Sequence, residues 1–220
     1  MVERLERRMK MIKKNWKILV LTSVMILLPI VAGVILWNQL PEQIPTHWNA
    51  TGEIDGWSSK AFGVFGLPAI LLGVQWLCVL GTCADPKKAN HAEKILHLVF
   101  WIIPLLSIFL SVLTYMAAMG KQVHVEVIMP VSVGLVLTIV GNYLPKCKQN
   151  YTIGIKIPWT LNSEENWNRT HRFAGRLWVL CGLVIILTGF VGVFWISFGI
   201  VLLMALVPFV YSYLLHRKGI

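Results

Sequence analysis

The residues best suited to chemistry lie in a polar segment, LPEQIPTHWNATGEIDGWSSK, that runs from Leu40 to Lys60. It holds one histidine, His47, and two nearby carboxylates, Glu53 and Asp55. An imidazole with two carboxylates could bind a divalent metal ion or act as acid and base in an enzyme. Their spacing matches no recognised metal-ligand motif. Asn49 with Gly52 predicts one turn in this segment, and the Asp55–Gly56 pair predicts another. We therefore expect a compact, turn-rich loop with solvated charges, with neither a metal site nor catalysis.

A second segment of polar and aromatic residues, LPKCKQNYTIGIKIPWTLNSEENWNRTHRFAG, runs from Leu144 to Gly175. Ser163, followed by two glutamates, is typical of a helix start, and Trp167 and His171 lie about one helical turn apart. Membrane topology and lipid headgroup contact account for the basic residues here. The chain has no nucleotide-binding, metalloprotease or serine-hydrolase signature, and its four cysteines form no CxxC pair. We expect no cofactor.

The composition indicates whether water or lipid surrounds the rest of the chain, which must position these two segments. Hydrophobic residues make up 56% of the 220-residue chain and charged residues only 14%, with a mean hydropathy of +0.68. A soluble domain carries about 25% charged residues, and its surface could not hide such an excess of apolar area. A soluble enzyme and a disordered chain are therefore excluded, and membrane helices must position both segments.

Six stretches are apolar over the roughly 20 residues that a spanning helix needs. They are Ile18–Asn38, Ala61–Gly81, Ile95–Met119, Val123–Tyr143, Ala174–Phe194 and Trp195–Leu215. The first stretch is too long for the apolar part of a signal peptide and lacks a clear cleavage site, which favours an uncleaved anchor. The sequence thus predicts an all-α integral membrane protein. Its single six-helix domain, residues 1–220, has motif loops at 40–60 and 144–175.

The distribution of Lys and Arg predicts the orientation, because these residues concentrate in cytoplasmic segments. Eighteen of the 20 fall in the N-terminal segment, the second–third loop, the fourth–fifth loop and the tail, which share one side. The other side holds only Lys60 and Lys121. We expect both termini and the 144–175 loop in the cytoplasm, and the 40–60 loop outside. The net charge of +10 then reflects topology and favours contact with anionic lipid, with no need for nucleic acid.

Small residues and prolines inside the spans indicate how the helices pack. Gly175, Gly182 and Gly189 recur every seven residues, which keeps them near one face of the fifth helix. Such a stripe predicts close packing against another helix, with a substrate groove as the alternative. Every span except the fifth contains a proline, which membrane helices tolerate. No charged residue lies at mid-depth, which argues against an ion-coupled transporter.

Together the two polar segments resemble those of the SdpI family, membrane immunity proteins of a sporulation-delaying toxin system. LPEQIPTHWNATGEIDGWSSK is similar to a short extracytoplasmic domain of unknown function in these proteins, and GIKIPWTLNSEENWNRTHRFAG to their cytoplasmic signature. The resemblance extends from Leu40 to about Gly182. It implies a protein of the bacterial cytoplasmic membrane that protects against a secreted antimicrobial peptide toxin. It also implies signalling, in which a small cytoplasmic winged-helix repressor is held at the membrane.

The resemblance also implies which residues form the two motifs. The extracytoplasmic motif comprises His47, Trp48, Asn49, Asp55, Trp57 and Lys60. The cytoplasmic motif comprises Asn150, Gly154, Lys156, Pro158, Trp159, Thr160, Trp167, His171, Arg172 and Gly175. We expect the first to contact the toxin and the second to report its binding or recruit a partner. The alternatives are a small transporter that exports or excludes the peptide, and a membrane enzyme that uses His47, Asp55 or a metal.

Overall fold

The computed structural model describes residues 2–87, 93–192 and 194–220. The elements in chain order are α1 (Val2–Ile35), β1 (Gln43–Trp48), β2 (Ile54–Ser59), α2 (Leu67–Ala84), α3 (Glu93–Ala118), α4 (Val125–Tyr143), α5 (Pro158–Asn162), α6 (Glu164–Val191) and α7 (Phe194–Arg217). A π-helical turn, Phe62–Gly66, precedes α2, and a 3₁₀ turn, Leu144–Lys146, follows α4. Lys88, one of the basic residues used to predict orientation, lies outside the described residues.

Within the described residues, six helices are long and apolar enough to cross a membrane, as predicted. They include the stretches Met11–Ile35, Phe62–Ala84, Leu96–Ala118, Val125–Lys146, Glu164–Val191 and Trp195–Arg217. Large apolar side chains remain exposed on these helices, among them Leu77 (70% exposed) and Phe190 (69% exposed). In a bilayer these side chains meet lipid instead of water. The all-α membrane fold is thus confirmed.

A turn at Gly192 separates the last two spans, close to the boundary predicted between Phe194 and Trp195. α6 ends at Val191, whereas the sequence predicted a span that ended at Phe194. Gly192 has a left-handed backbone (φ 74°), and its N–H bonds to the carbonyl of Thr188. This is the usual glycine stop at a helix C-terminus. Residue 193 lies outside the described residues.

The chain divides into two compact units. The first contains Met1–Ala84 and Leu96–Val123, and the second contains Asp85–Ile95 and His124–Ile220. The β-hairpin therefore belongs to the first unit, and α4 to α7 belong to the second. The single-domain organisation stays a prediction.

Helices of the first unit are joined by hydrogen bonds to backbone carbonyls. Pro104 has no N–H to bond the carbonyl of Phe100 four residues earlier, and Gln75 Nε2 of α2 donates to that carbonyl at 3.1 Å. Ser107 Oγ of α3 donates to the carbonyl of Ile26 in α1 at 2.9 Å. Gln75, Phe100, Ile26 and Ser107 are at most 1% exposed. Such bonds satisfy polar groups that lipid cannot solvate.

The second unit contains the same arrangement around another proline. Pro208 of α7 leaves the carbonyl of Met204 without its helical N–H partner. Trp178 Nε1 of α6 donates to that carbonyl at 3.0 Å. In both units, a side chain of a neighbouring helix thus replaces the bond that proline removes.

The predicted glycine seam on α6 is confirmed, and its partner is α4. A Cβ on Gly182 would lie 2.7 Å from the carbonyl oxygen of Gly134, and a Cβ on Gly175 would lie 2.8 Å from that of Gly141. Gly189 faces Pro130 in the same way. The two backbones approach so closely that no side chain fits between them.

Candidate functional site

The polar segment after α1 forms an antiparallel β-hairpin, Gln43–Ser59, which the sequence analysis did not predict. The turn predicted at Asn49 is confirmed: Asn49 Oδ1 accepts hydrogen bonds from the N–H groups of Thr51 and Glu53, both at 2.9 Å. The turn predicted at Asp55–Gly56 is wrong, because both residues lie in β2. The backbone N–H of Asn49 donates to the carbonyl of Glu53 at 2.8 Å, and Gly52 takes a positive φ of 83°. Asn49 is therefore the residue that shapes the hairpin turn.

His47 and Asp55 meet across the two strands. His47 Nδ1 lies 2.5 Å from Asp55 Oδ1, with the two side chains 71% and 45% exposed. Gly56 lies opposite His47, where a Cβ would lie 2.7 Å from the Cβ of His47. Trp57 is also 55% exposed. The hairpin therefore presents a hydrogen-bonded imidazole–carboxylate pair and an indole on an exposed surface.

The hairpin brings no third metal ligand to His47 and Asp55. Across the described parts of the chain, no group of three or more His, Cys, Asp or Glu side chains could hold a metal ion. Glu53 instead faces the turn, where its Oε2 accepts a hydrogen bond from Asn49 Nδ2 at 3.1 Å. The pair is suited to recognition of polar groups on a ligand.

Lys60 anchors the base of the hairpin. It is only 7% exposed, and its Nζ donates to the carbonyls of Leu40 at 3.0 Å and Trp37 at 3.3 Å, just after the end of α1. The ammonium lies 5.1 Å from the centre of the Trp37 ring and 3.0 Å from Glu42 Oε1. A cation is favourable beside helix C-terminal carbonyls. Lys60 thus positions the hairpin and is not part of its exposed surface.

One apolar side chain packs the hairpin against the π-helical turn Phe62–Gly66 that follows it. Ile44 of β1 is fully buried, and it fills the place that any side chain at Gly63 would occupy. Trp48, also in the predicted motif, is half-buried and pairs with Ile54. Of the six predicted residues, His47, Asp55 and Trp57 face solvent together, while Asn49 and Lys60 hold the shape.

In the second unit, the cytoplasmic motif is built around two stacked rings. Trp167 and His171 of α6 stack with their centres 4.0 Å apart, and both are at most 1% exposed. Trp167 Nε1 donates to the carbonyl of Cys147 at 2.7 Å. His171 Nε2 accepts from the N–H of Ile155 at 2.9 Å, and its Nδ1 lies 2.8 Å from the Trp167 carbonyl. The imidazole is therefore neutral, with its proton on Nδ1.

Gly154 allows the chain to cross these rings. Its φ of 119° is a conformation that side chains rarely adopt. A Cβ there would lie 2.5 Å from His171 Nε2 and 3.1 Å from the Trp167 ring. Beneath the same segment, burial raises the pKa of the Cys147 thiol to about 11. That thiol is protonated at neutral pH, so it is unsuited to nucleophilic chemistry.

Asn150 folds the beginning of this segment into a turn. Its Oδ1 accepts from the N–H groups of Thr152 and Ile153 at 2.9 and 2.7 Å, and its Nδ2 donates to the Ile153 carbonyl at 2.9 Å. Asp85 supports the turn from outside the motif. Its Oδ2 accepts from the N–H of Tyr151 at 2.9 Å and from Thr152 Oγ1 at 2.8 Å.

Thr160 and Pro158 shape the short helix α5. Thr160 is fully buried; its Oγ1 donates to the carbonyl of Ile155 at 2.7 Å and accepts from the N–H of Ile157 at 3.1 Å. Pro158 occupies the first helical position, where its missing N–H costs nothing. Trp159 packs against three rings of α7: Phe209, Tyr213 and His216.

The remaining predicted residues divide between the surface and the helix interface. Lys156 and Arg172 are exposed, with Lys156 Nζ bonded to the carbonyl of Thr152 at 3.0 Å. An open groove around Arg172 is lined by Glu164, Glu165, Asn168 and Arg169. Gly175 belongs to the α4–α6 seam and not to the loop.

Three residues that support this site were not predicted to belong to it. Gln149 donates to the carbonyls of Thr160 and Leu161, and Asn166 donates to those of Ser212 and Ile220. The third is Asp85, whose acidic charge in an otherwise basic loop was the available signal. Gln149 and Asn166 gave no comparable signal, because their partners are backbone groups that only the fold brings near.

Two family models and one curated relative match this chain. Residues 146–212 match the family model described as the SdpI/YfhL protein family, and residues 24–72 match a domain of unknown function (DUF1648). The chain is 32% identical over 197 residues to "Immunity protein SdpI" of Bacillus subtilis (strain 168), covering 89% of this chain and 91% of that protein. The chain belongs to the SdpI family. No solved structure matches it.

Each of the two sites lies mainly within one of the matched regions. The hairpin falls within the DUF1648 match, and the stacked rings, α6 and most of α7 fall within the SdpI match. The matched relative is named an immunity protein. The chain is accordingly a multi-pass protein of the bacterial cell membrane.

Proposed function

We propose that this SdpI-family chain protects a bacterium against a secreted peptide toxin, with the hairpin Gln43–Ser59 as the surface that meets the peptide. The similarity to an immunity protein over most of both chains supports the immunity role. The exposed cluster of His47, Asp55 and Trp57 supports the hairpin as its site. The distribution of basic residues supports a hairpin on the outer side of the membrane, where a secreted toxin arrives.

The hairpin is suited to binding because it is rigid and open. The Asn49 turn and the Lys60 anchor hold its two ends, so little conformational entropy is lost when a ligand binds. Trp57 offers a large apolar ring with a polar edge, a side chain that is frequent in binding hot spots. His47 and Asp55 beside it supply hydrogen-bonding groups.

Resistance assays in a toxin-sensitive strain test this proposal. Cells that express His47→Ala, Asn49→Ala or Asp55→Ala should survive the sporulation-delaying peptide less well than cells with the wild-type chain. A matched control is His124→Ala, which removes another exposed histidine that lies 2.9 Å from a carboxylate, that of Glu126. Wild-type resistance in all three hairpin variants, at equal membrane levels, would exclude the hairpin from the mechanism.

For the cytoplasmic motif we propose a separate role, the recruitment of a small winged-helix repressor when toxin binds. The buried rings of Trp167 and His171 form a frame, while Arg172 on the same helix and Lys156 on the loop are exposed. A toxin can change this surface only if it binds two conformations of the protein with different affinity. An anionic lipid headgroup is the other acidic ligand that these cations would suit.

Arg172→Lys distinguishes the two ligands, because lysine keeps the charge but loses the planar fork that a specific partner contact uses. We expect toxin-induced transcription to fall while resistance persists. Arg169→Lys is the control, since Arg169 is already paired with Glu165 at 2.6 Å. Wild-type transcription in Arg172→Lys would indicate lipid or topology alone. Loss of resistance together with transcription would contradict the separation of the two roles.

A further inference from the structure

The pairing of the hairpin strands determines which backbone groups remain free. The N–H of Lys60 donates to the carbonyl of Glu42 at 2.9 Å, one of the two bonds that a hydrogen-bonded pair of residues 42 and 60 would make. Hydrogen-bonded and non-bonded pairs alternate in an antiparallel ladder. In the register Gln43↔Ser59 and Pro45↔Trp57, those two pairs are therefore non-bonded. The N–H and carbonyl groups of Trp57 and Ser59 thus point away from β1.

The two outer edges of the hairpin differ. On β1, Pro45 offers no N–H, and Ile44 and Pro45 are buried. Proline is one of the features that block further pairing at a sheet edge. On β2, Asp55, Trp57 and Ser59 are all exposed. Within the described residues, Trp57 makes no backbone hydrogen bond to any segment outside the hairpin. Ser59 instead caps the helical turn that begins at Lys60, where its Oγ accepts from the N–H of Phe62 at 3.3 Å. Only β2 is open to a further strand.

The charge of the hairpin indicates the chemistry of a partner. Residues 40–60 contain three carboxylates, Glu42, Glu53 and Asp55, and one lysine. That lysine, Lys60, is buried and paired with Glu42, so the exposed charge beside β2 is negative. This acidic segment belongs to a chain whose net charge is +10. It would attract basic groups, and the exposed indole of Trp57 would contact apolar ones.

We propose that the outer edge of β2 binds the secreted peptide toxin in extended form, as a third strand of the hairpin. This inference rests on the proposed immunity function and specifies how the peptide is held. Trp57 pairs with the peptide backbone through its N–H and carbonyl and selects apolar side chains, while Asp55 and Glu53 select basic ones. Strand addition gives affinity through main-chain bonds and specificity through alternate side chains.

N-methylation of the peptide backbone tests the pairing directly. In an added strand, only every second N–H faces the partner. The probe is the synthetic sporulation-delaying peptide, methylated at one backbone nitrogen at a time and bound to the purified full-length chain in lipid nanodiscs. Within one segment of the peptide, methylation at alternate positions should weaken binding at least about tenfold, the equivalent of one lost hydrogen bond. Positions between them should bind nearly as the unmodified peptide does.

A substitution at Trp57 provides the matching test on the protein. Trp57→Pro removes both the outward N–H and the indole, whereas Trp57→Ala removes only the indole. Because residue 57 lies in a non-bonded pair, proline there leaves the ladder to β1 intact. Trp57→Pro should weaken binding several-fold more than Trp57→Ala, with equal melting temperatures.

The outcomes separate this inference from the function on which it rests. If the unmodified peptide neither binds nor is resisted, the proposed immunity function and this inference both fail. Suppose instead that the peptide binds and is resisted, but methylation shows no period of two and the two Trp57 variants bind it equally. The strand-addition proposal is then wrong, while the proposed immunity function stands. A methylation period of three to four would overturn strand addition in favour of a helical peptide.

Discussion

At the scale of the residue, the two motifs mix side chains that hold a shape with side chains that a partner can reach. Trp167, His171 and Thr160 are buried and bond to backbone groups. His47 and Arg172, in contrast, are exposed. Substitution of a buried motif residue therefore affects folding first, and only substitutions of exposed motif residues test partner binding directly. Gly154 provides the sharpest test of the buried frame.

Gly154→Ala should destabilise the folded chain by about 1–3 kcal/mol, the usual cost of a side chain in such a strained backbone region, together with the collision against His171. The apparent melting temperature of the detergent-purified protein measures this effect. Gly120→Ala is the control, because Gly120 also has a positive φ but would meet no atom within 4 Å. A melting temperature lowered equally in both variants would mean that contact with His171 and Trp167 adds nothing.

The sequence resemblance named the motif residues but could not divide them by structural role. The Asn49 turn and the Ser163 helix start were predicted from local chemistry, and both are confirmed. Lys60 was predicted as a charged loop residue, yet it is buried against backbone carbonyls. Burial of that kind depends on where the end of α1 lies, and no local pattern reveals it. Asp85 was missed for the same reason, since its partner is about 66 residues away in sequence.

At the scale of the element, apolar length was enough to predict all six spans, because lipid imposes it on each helix separately. The hairpin was not predicted. Its strands contain Pro45 and Gly56 and are offset by irregularities on both sides of His47, so the usual alternation is absent. The sequence also could not predict which helices pack against each other. A glycine stripe marks a packed face, but not that α4 is the helix packed against it.

Gly182→Leu should prevent α6 from packing on α4. A side chain there has no room, because its Cβ alone would lie 2.7 Å from the Gly134 carbonyl. We expect little folded protein, which monodispersity after detergent extraction would reveal. Gly199→Leu is the matched control, since no atom lies within 4 Å of a Cβ at that position of α7. Normal folding of Gly182→Leu would show that α4 and α6 can separate without loss of the fold.

Gln75 and Pro104 should be coupled energetically. Gln75→Leu removes the donor to the Phe100 carbonyl and should cost about 0.6 kcal/mol, the average for such bonds between membrane helices. In a Pro104→Ala background, the helix supplies its own N–H to that carbonyl, so the cost of Gln75→Leu should shrink. Chemical unfolding of the four proteins in mixed micelles gives this double-mutant cycle. Equal costs in both backgrounds would mean that Gln75 stabilises the fold in some other way.

At the scale of the whole molecule, the positions of the basic residues determine which site faces the toxin. Eighteen Lys and Arg residues fall on the side of the termini and two on the other. Cytoplasmic retention of basic loops during insertion should therefore place the hairpin outside and the ring frame of Trp167 and His171 inside. Both proposed roles depend on this orientation, since a peptide that stays outside cannot reach the ring frame.

Single cysteines report the orientation in intact cells. Thr51→Cys at the exposed hairpin turn should react with a membrane-impermeant maleimide before the cells are opened. Glu164→Cys at the exposed start of α6 should react only after permeabilisation. The unsubstituted chain measures labelling of the four native cysteines, of which Cys83 and Cys147 are buried. The opposite labelling pattern would place the hairpin in the cytoplasm, where a secreted peptide does not first arrive. Direct toxin capture by the hairpin would then be excluded, even if the cells were resistant.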